Sequence, residues 1–347
     1  MVGSESRRLR VVVVGLGQMG QSHALAYHRS KDFDIVGLII RNPVQLDAEL
    51  TGYPRLELAA ALSLKPDLVA VCTHAESHAP IAHRAIAAGA HVFVEKPMAL
   101  TLTEANALVE AARLAGVKLV SGHILRHHPA WIALIDEAKR LGPPFVMRMN
   151  LNQRSSGSAW DIHRKLLRTT SPTVDCGVHY VDVMLEIAQT RPVQVRGMGV
   201  RLSQEIAPDS VNYSHLQLLF ECGSVGWYEA GWGPMISETA HFVKDVMGGR
   251  GSVSLMEGAA RDPADLEGHV SASVLRLCPA AGTGQSSIDM AMDEPGHLGL
   301  CALEQAHVYR LIVENGDAEP HLKCDLQSLE IVLAADRSMR EGCAVDL

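Results

Sequence analysis

A chain of 347 residues with 47% hydrophobic, 20% charged and 4% aromatic residues is globular and too long for one ordinary core, so two domains are expected. A formal net charge of −8, with no basic run beyond Arg7-Arg8 and Arg10, argues against nucleic acid and membrane as partners. No apolar stretch approaches the roughly 20 residues of a membrane span. The N-terminus lacks a signal peptide's apolar region, and seven scattered cysteines without a CxxC fit a reduced, cytoplasmic protein.

In chain order, Val11–Val14 is a continuous β-branched run, as expected of a strand buried on both faces. Gln18–Arg29 reads as a helix, Phe33–Ile40 as a strand, Leu56–Leu62 as a short helix and Leu68–Cys72 as a strand. Glu76–Ala88 is an alanine-rich helix stopped by Gly89, Val92–Val94 a strand, and Thr103 the N-cap of a helix that ends near Gly116 before the strand Val117–Ser121. Repeated β-α-β units imply a parallel sheet with helices on both faces. Beyond Pro129 a helix over Ala130–Arg140 precedes longer alternating segments, Phe145–Leu151, Val193–Leu202, Val211–Glu221 and Ser224–Ala230, which suggest an antiparallel sheet with one buried face. Val174–Ile187, Leu298–Val313 and Leu326–Met339 read as helices. The expected organisation is α/β: a domain over 1–125 with a doubly wound parallel sheet, then an α+β domain over 126–347 with a large, mainly antiparallel sheet.

The first strand runs into Gly15-Leu16-Gly17-Gln18-Met19-Gly20, a GxGxxG that opens a helix. Gly15 permits the tight turn, Gly17 lets a pyrophosphate approach the backbone, and Gly20 lets helix and strand pack closely. The helix N-terminus then faces the phosphates. This predicts a dinucleotide site. An acidic residue about 20 positions on would accept from the ribose 2′-OH. Here Ile40 is followed by Arg41 and Asn42, and Arg41 can pair with a 2′-phosphate, so the reading leans to NADP over NAD. Arg41 as a solvated residue, or one stacked on adenine, is the alternative. The fourth strand ends in Glu95-Lys96-Pro97, at the sheet edge that lines the ligand crevice in such folds. An ammonium there can hold a reacting hydroxyl and stabilise its alkoxide character; a surface ion pair of Glu95 is the bland alternative.

GxGxxG, the Thr73-x4-His78 segment and Glu95-Lys96-Pro97 together resemble the Gfo/Idh/MocA family of sugar and inositol oxidoreductases. Gly122 to Pro129 looks like that family's G-x3-R-x2-P junction, and Asp175 to Asp182 like its D-x-G-x-H-x2-D helix. The resemblance implies a Rossmann domain and hydride transfer between NAD(P) and a sugar or polyol carbon. Lys96 would bind the reacting hydroxyl, His179 act as general base or acid, and Asp175 hold a neighbouring hydroxyl. Thr73, His78 and Glu95 would join Gly15, Gly17, Gln18, Met19, Gly20, Arg41 and Lys96 around the cofactor. Ser171-Pro172-Thr173 stands where the family often has glycines, and His74 where it often has proline; neither removes a catalytic group. Asp175 and His179, four apart, would share one helix face, and a histidine titrates near neutrality. His123, Arg126, Asn152, Trp160 and His163 are candidates for the substrate side, with loop exposure for His163 and core packing for Trp160 as alternatives. Seventeen histidines, some clustered at 74, 78 and 83 and at 123, 127 and 128, match no strong metal spacing, so no metal is expected. A homo-oligomer, dimer or tetramer, through the C-terminal sheet is expected by the same resemblance. A relative that retains its cofactor through transient oxidation, or a non-catalytic NAD(P)-binding regulator, are the alternative functions.

Overall fold

The computed structural model describes residues 7–237, 243–257, 272–281, 284–290 and 294–347. Two compact units emerge, one of residues 1–124 with 297–326 and the other of 125–296 with 327–347. The return of 297–326 to the first unit is not visible as a composition change, and the sequence places that segment in the second domain.

In the first unit, β1 (Leu9–Val14), β2 (Phe33–Ile39), β3 (Leu68–Val71), β4 (His91–Val94) and β5 (Leu119–Ser121) form an all-parallel sheet in the order β2-β1-β3-β4-β5. The helices between them are α1 (Gln18–Arg29), α2 (Leu58–Ser63), α3 (His78–Ala87) and α4 (Leu102–Ala115). β1 pairs with β2 on one side and β3 on the other, Val14 lying beside both Ile39 and Val71. The order reverses at β1, so the loops after β1 and β3 diverge and leave the crevice where open α/β sheets bind ligands. Val11, Val13, Leu38, Leu68, Ala70 and Phe93 form the core with Tyr27 and Phe33, and Val308 and Leu311 from the later segment pack against them. The cap of α4 differs from expectation: Thr101, not Thr103, accepts from the Glu104 amide at 3.2 Å, and its hydroxyl reaches the Glu104 carboxylate at 3.0 Å. Thr101 has the capping-box spacing, three residues before a glutamate, which Thr103, two residues later, lacks.

The second unit carries α5 (Pro129–Leu141), β6 (Val146–Arg154), α6 (Gly157–Leu166), α7 (Pro172–Asp175) and α8 (Gly177–Ala188). These precede β7 (Pro192–Val200), β8 (Tyr213–Phe220), β9 (Val225–Gly233), β10 (Lys244–Gly248), β11 (Gly251–Glu257), β12 (Ala272–Pro279) and β13 (Ser286–Asp289). With β14 (Val345–Asp346) the strands form one sheet in the order β13-β12-β11-β10-β6-β9-β8-β7-β14. β6 and β9 run parallel and the other neighbours antiparallel. The alternation seen in the sequence is real on β8, where Ser214, Leu216, Leu218 and Phe220 are buried and Gln217 and Leu219 exposed. Strands β10 to β13 have no counterpart in the sequence reading: β10 is five residues long and begins with lysine, and all of β13 is exposed, so neither displays a long apolar alternation. α9 (Gly296–Val313) lies in the first unit, and α10 (Glu319–Glu341) runs from the first into the second. α10 begins well before the expected Leu326, because Pro320 falls in the first turn, where a missing N–H is tolerated.

Candidate active site

The glycine-rich turn has the shape its sequence requires. Gly15 adopts φ +87°, and a Cβ there would lie 2.6 Å from the Cys72 carbonyl oxygen at the end of β3. A Cβ on Gly20 would lie 1.8 Å from the Gly15 oxygen, so α1 can approach the strand only as glycine. Gly17 is the reverse case: a Cβ there would meet nothing within 4 Å, which leaves open space against the backbone. Gly17 caps α1 without a side-chain hydrogen bond, and the first turn, with Gln18 and Met19, has no acidic residue. Uncapped N–H groups facing open space, with no competing carboxylate, suit a pyrophosphate. Arg41 is exposed just beyond β2, followed by exposed Asn42.

Lys96 stands just past β4, half-buried, on the sheet edge that also carries the Gly15–Gly20 turn. Its neighbour Glu95 is 7% exposed and turns inward. One carboxylate oxygen accepts from His23 Nε2 at 2.7 Å, the other from the Lys96 amide at 3.2 Å. Burial alone would raise this carboxyl; the hydrogen bond from His23, with the charge of Lys96, holds it at about 2. Thr73 Oγ1 accepts from the Ser77 hydroxyl at 2.9 Å. His78 is buried, with Nδ1 2.8 Å from the Pro97 carbonyl and Nε2 2.9 Å from the Thr73 carbonyl. It thereby ties the loop after β3 to the loop after β4. Burial lowers its pKa against the pull of both carbonyls, so the neutral ring donates to only one of them. Cys72, between these loops, is pushed up by burial and remains a thiol. His123, beyond β5, places Nε2 3.0 Å from an Asp325 oxygen. His321 reaches the other Asp325 oxygen at 3.3 Å and the Ser121 carbonyl at 3.0 Å.

The second unit holds the remaining candidates. Asp175 ends α7 and His179 lies in α8, so the pair straddles a junction at Cys176 rather than sharing the single expected helix. The backbone of Cys176 stays in the helical region, and the four-residue spacing therefore still acts as a helical one. Asp175 is half-buried and accepts from the Cys176 thiol at 3.5 Å; His179 is buried. Arg126 does not present an open guanidinium: its Nε and Nη2 donate to the two Asp182 oxygens at 2.7 and 2.5 Å in a bidentate fork. Asn152 on β6 donates to Glu229 on the adjacent β9. Trp160 is buried, as the bland alternative had it, and donates from Nε1 to Glu205 at 3.2 Å.

His163 is buried, not a solvent-facing loop residue. Its ring stacks on Trp232 at 4.5 Å and 7°, and Nδ1 lies 2.8 Å from the Ser155 hydroxyl. Burial pushes its pKa down to about 4 against the opposing charge of Asp175, so the ring is neutral at pH 7. Trp232 in turn donates to Gln153 at 2.9 Å. Sequence reasoning missed His23 and Gln305 in the first unit and Gln153 in the second. For His23 the signal was a polar residue on the inward face of the glycine-loop helix; Gln305 gives none, because its partner is 282 residues away.

Residues 9–123 match the model of an oxidoreductase family with an NAD-binding Rossmann fold. The chain is 30% identical over 197 residues to a UDP-N-acetylglucosamine 3-dehydrogenase of Acidithiobacillus ferrooxidans, covering 55% of this chain and 58% of that protein. It is 29% identical over 196 residues to a D-glucoside 3-dehydrogenase of Escherichia coli, covering 52% and 54%. The chain thus spans a little over half the length of these curated relatives. Among solved structures, an oxidoreductase from Agrobacterium radiobacter in complex with NAD+, L-tartaric acid and magnesium shares the fold, with a TM-score of 0.78 at 18% identity over 98% of both chains. No helix among the described residues is long and apolar enough to cross a membrane.

Proposed function

We propose, from the premise that this chain belongs to the Gfo/Idh/MocA family of oxidoreductases by its match over residues 9–123, that it moves hydride between NAD(P) and a secondary alcohol or ketone carbon of a sugar, inositol or related polyol. The observation that carries this reading is local to the first unit. The open, uncapped turn at Gly17 and the ammonium-bearing Lys96 lie on the same edge of one parallel sheet. A nicotinamide ring, when bound, supplies the hydride acceptor or donor. The chain's own groups do the rest. Lys96 holds the reacting hydroxyl and stabilises its oxygen as negative charge develops. His179 takes the proton in oxidation and returns it in reduction. Asp175 accepts from a neighbouring hydroxyl and so favours substrates with adjacent hydroxyl groups, as sugars and inositols have. Arg41, with no carboxylate at the end of β2, favours the 2′-phosphate of NADP over NAD.

The test is NADP and NAD binding by fluorescence titration, followed by a turnover screen over polyols, sugars and nucleotide sugars with wild type and Lys96→Ala. The expected result is binding by both proteins, turnover by wild type, and a loss of about 10²- to 10⁴-fold in kcat for the variant. Turnover that survives in folded Lys96→Ala, or absence of dinucleotide binding, overturns the reading.

A further inference from the structure

Behind the Lys96 strand end lies a buried polar chain that the proposed chemistry does not use. Tyr27 on α1 bonds Gln305 Oε1 on α9 at 2.5 Å, and Gln305 Nε2 lies 3.0 Å from His23 Nδ1. His23 Nε2 lies 2.7 Å from a Glu95 oxygen, and the other oxygen accepts from the Lys96 amide at 3.2 Å. His23 is 0% exposed, with its ring 4.8 Å from that of Phe93, and Gln305 is 1% exposed. Gly122 stands so close that a Cβ there would lie 3.4 Å from the Glu95 carboxylate and 3.2 Å from Phe93.

Such a chain has one consistent direction. A carboxylate only accepts, so His23 must present a proton at Nε2. A neutral imidazole then carries a lone pair at Nδ1, which accepts from the Gln305 amide nitrogen. The Gln305 oxygen is left to accept from Tyr27, whose hydroxyl burial keeps protonated. Turning the Gln305 amide over would set its oxygen against the lone pair at Nδ1 and its NH2 against the Tyr27 O–H. The sequence therefore fixes the histidine tautomer from a helix some 280 positions away, without any charge other than the carboxylate itself.

We infer that His23 and Gln305 are positioning residues: they hold the Glu95 carboxylate ionised and oriented so that it accepts from the Lys96 backbone N–H and sets the lysine at the end of β4. This rests on the reading of Lys96 as the residue that holds the reacting hydroxyl. The charged or titratable groups around Glu95 are His23 and Tyr27 from α1, Cys72 after β3, His78 from α3, Lys96 beside it, and Cys301 and Glu304 from α9. Of these, only His23 gives Glu95 a side-chain hydrogen bond.

The test replaces His23 by phenylalanine, which keeps the ring against Phe93. Infrared spectra are followed through a pH titration, with His23→Phe/Glu95→Gln as the subtraction. Wild type is expected to show no protonated Glu95 carboxyl between pH 4 and 9. A hydrogen bond to an ionised group is worth roughly one to two pH units, so His23→Phe should show a carbonyl band that grows as pH falls and is absent from the double variant. The kcat/KM profile should gain an acid limb with the same midpoint, dinucleotide affinity should be unchanged, and hydrogen exchange at the Lys96 amide should quicken. A purely structural role would lower activity evenly across pH. If Glu95 stays ionised in His23→Phe, or the carboxyl band appears while the pH profile keeps its wild-type shape, the inference is wrong. Should His23→Phe fail to fold, Gln305→Leu is expected to move the same observables in the same direction by less. Wild type that binds dinucleotide but turns over nothing would sink the proposed function, while the infrared titration and the Lys96 exchange rate would still decide this inference.

Discussion

The two units keep charge away from water by opposite means. In the first, the ionised Glu95 is held by dipoles, an imidazole N–H and a backbone amide, with Lys96 adding charge at a distance. In the second, Asp182 is gripped directly by the full charge of Arg126, while His163 is simply kept neutral by burial. The difference predicts where each unit is fragile. A direct pair fails when one partner is removed, a dipole chain fails when its direction is lost, and a buried neutral base fails only when acid forces a proton on it.

The largest effect should come from breaking the direct pair. Asp182 is 4% exposed, and Arg126→Leu leaves its carboxylate without the fork. Urea denaturation at pH 7 is expected to show a loss of about 3–5 kcal/mol, with most of it recovered in Arg126→Leu/Asp182→Leu. A loss under about 1 kcal/mol would make the pair equivalent to a surface bridge and remove the contrast between the units.

Next comes the neutral histidine. His163 has a folded pKa of about 4 against 6.5 for the free side chain. Between those values the unfolded chain binds the proton and the folded chain does not. His163 therefore contributes fully above about pH 6.5, and its contribution falls as pH drops toward 4, by ~3 kcal/mol. His163→Phe, which keeps the stack on Trp232, should flatten the stability curve over that window. Glu95 acts in a different one: its carboxyl, lowered from 4.5 to about 2, stabilises fully above pH 4.5 and loses that stabilisation below it. If His163→Phe leaves the slope between pH 6.5 and 4 unchanged, another group carries the acid sensitivity of the second unit.

The same contrast explains what was legible in the sequence. The glycine turn, the strand before it and Glu95-Lys96 are contiguous in the chain, and their constraints are local: a Cβ at Gly20 meets an atom of Gly15, five residues away. Such features can be read in order along the chain. The second unit assembles from distant segments. Arg126 meets Asp182 across 56 positions, Trp232 meets Gln153 on the adjacent strand from 79 positions away and stacks on His163, and β10 is too short and β13 too exposed to show a period. Arg126 reads as a substrate-side candidate, and nothing in its local sequence points to Asp182. His163, in a polar stretch before Asp175, looks like a loop residue until β9 brings Trp232 over it. Even in the first unit legibility stops where the chain must return: His23 lies in the readable motif, while the Gln305 that fixes its tautomer comes from a helix assigned by sequence to the other domain.

The smallest predicted effect separates the two causes that act on His163. Its Nδ1 faces the buried Ser155 hydroxyl at 2.8 Å, yet the lowering of its pKa comes first from burial and not from that contact. Ser155→Ala removes one neutral hydrogen bond inside the unit and leaves a ring nitrogen without its hydroxyl. At pH 7 the expected loss is about 1 kcal/mol, read from the urea midpoint. The fall in stability between pH 6.5 and 4 should stay as steep as in wild type, because the ring remains as deeply buried. A shallower slope in Ser155→Ala would mean that the serine, rather than desolvation, keeps His163 neutral. The second unit would then hold its polar groups by specific dipoles, as the first does around Glu95.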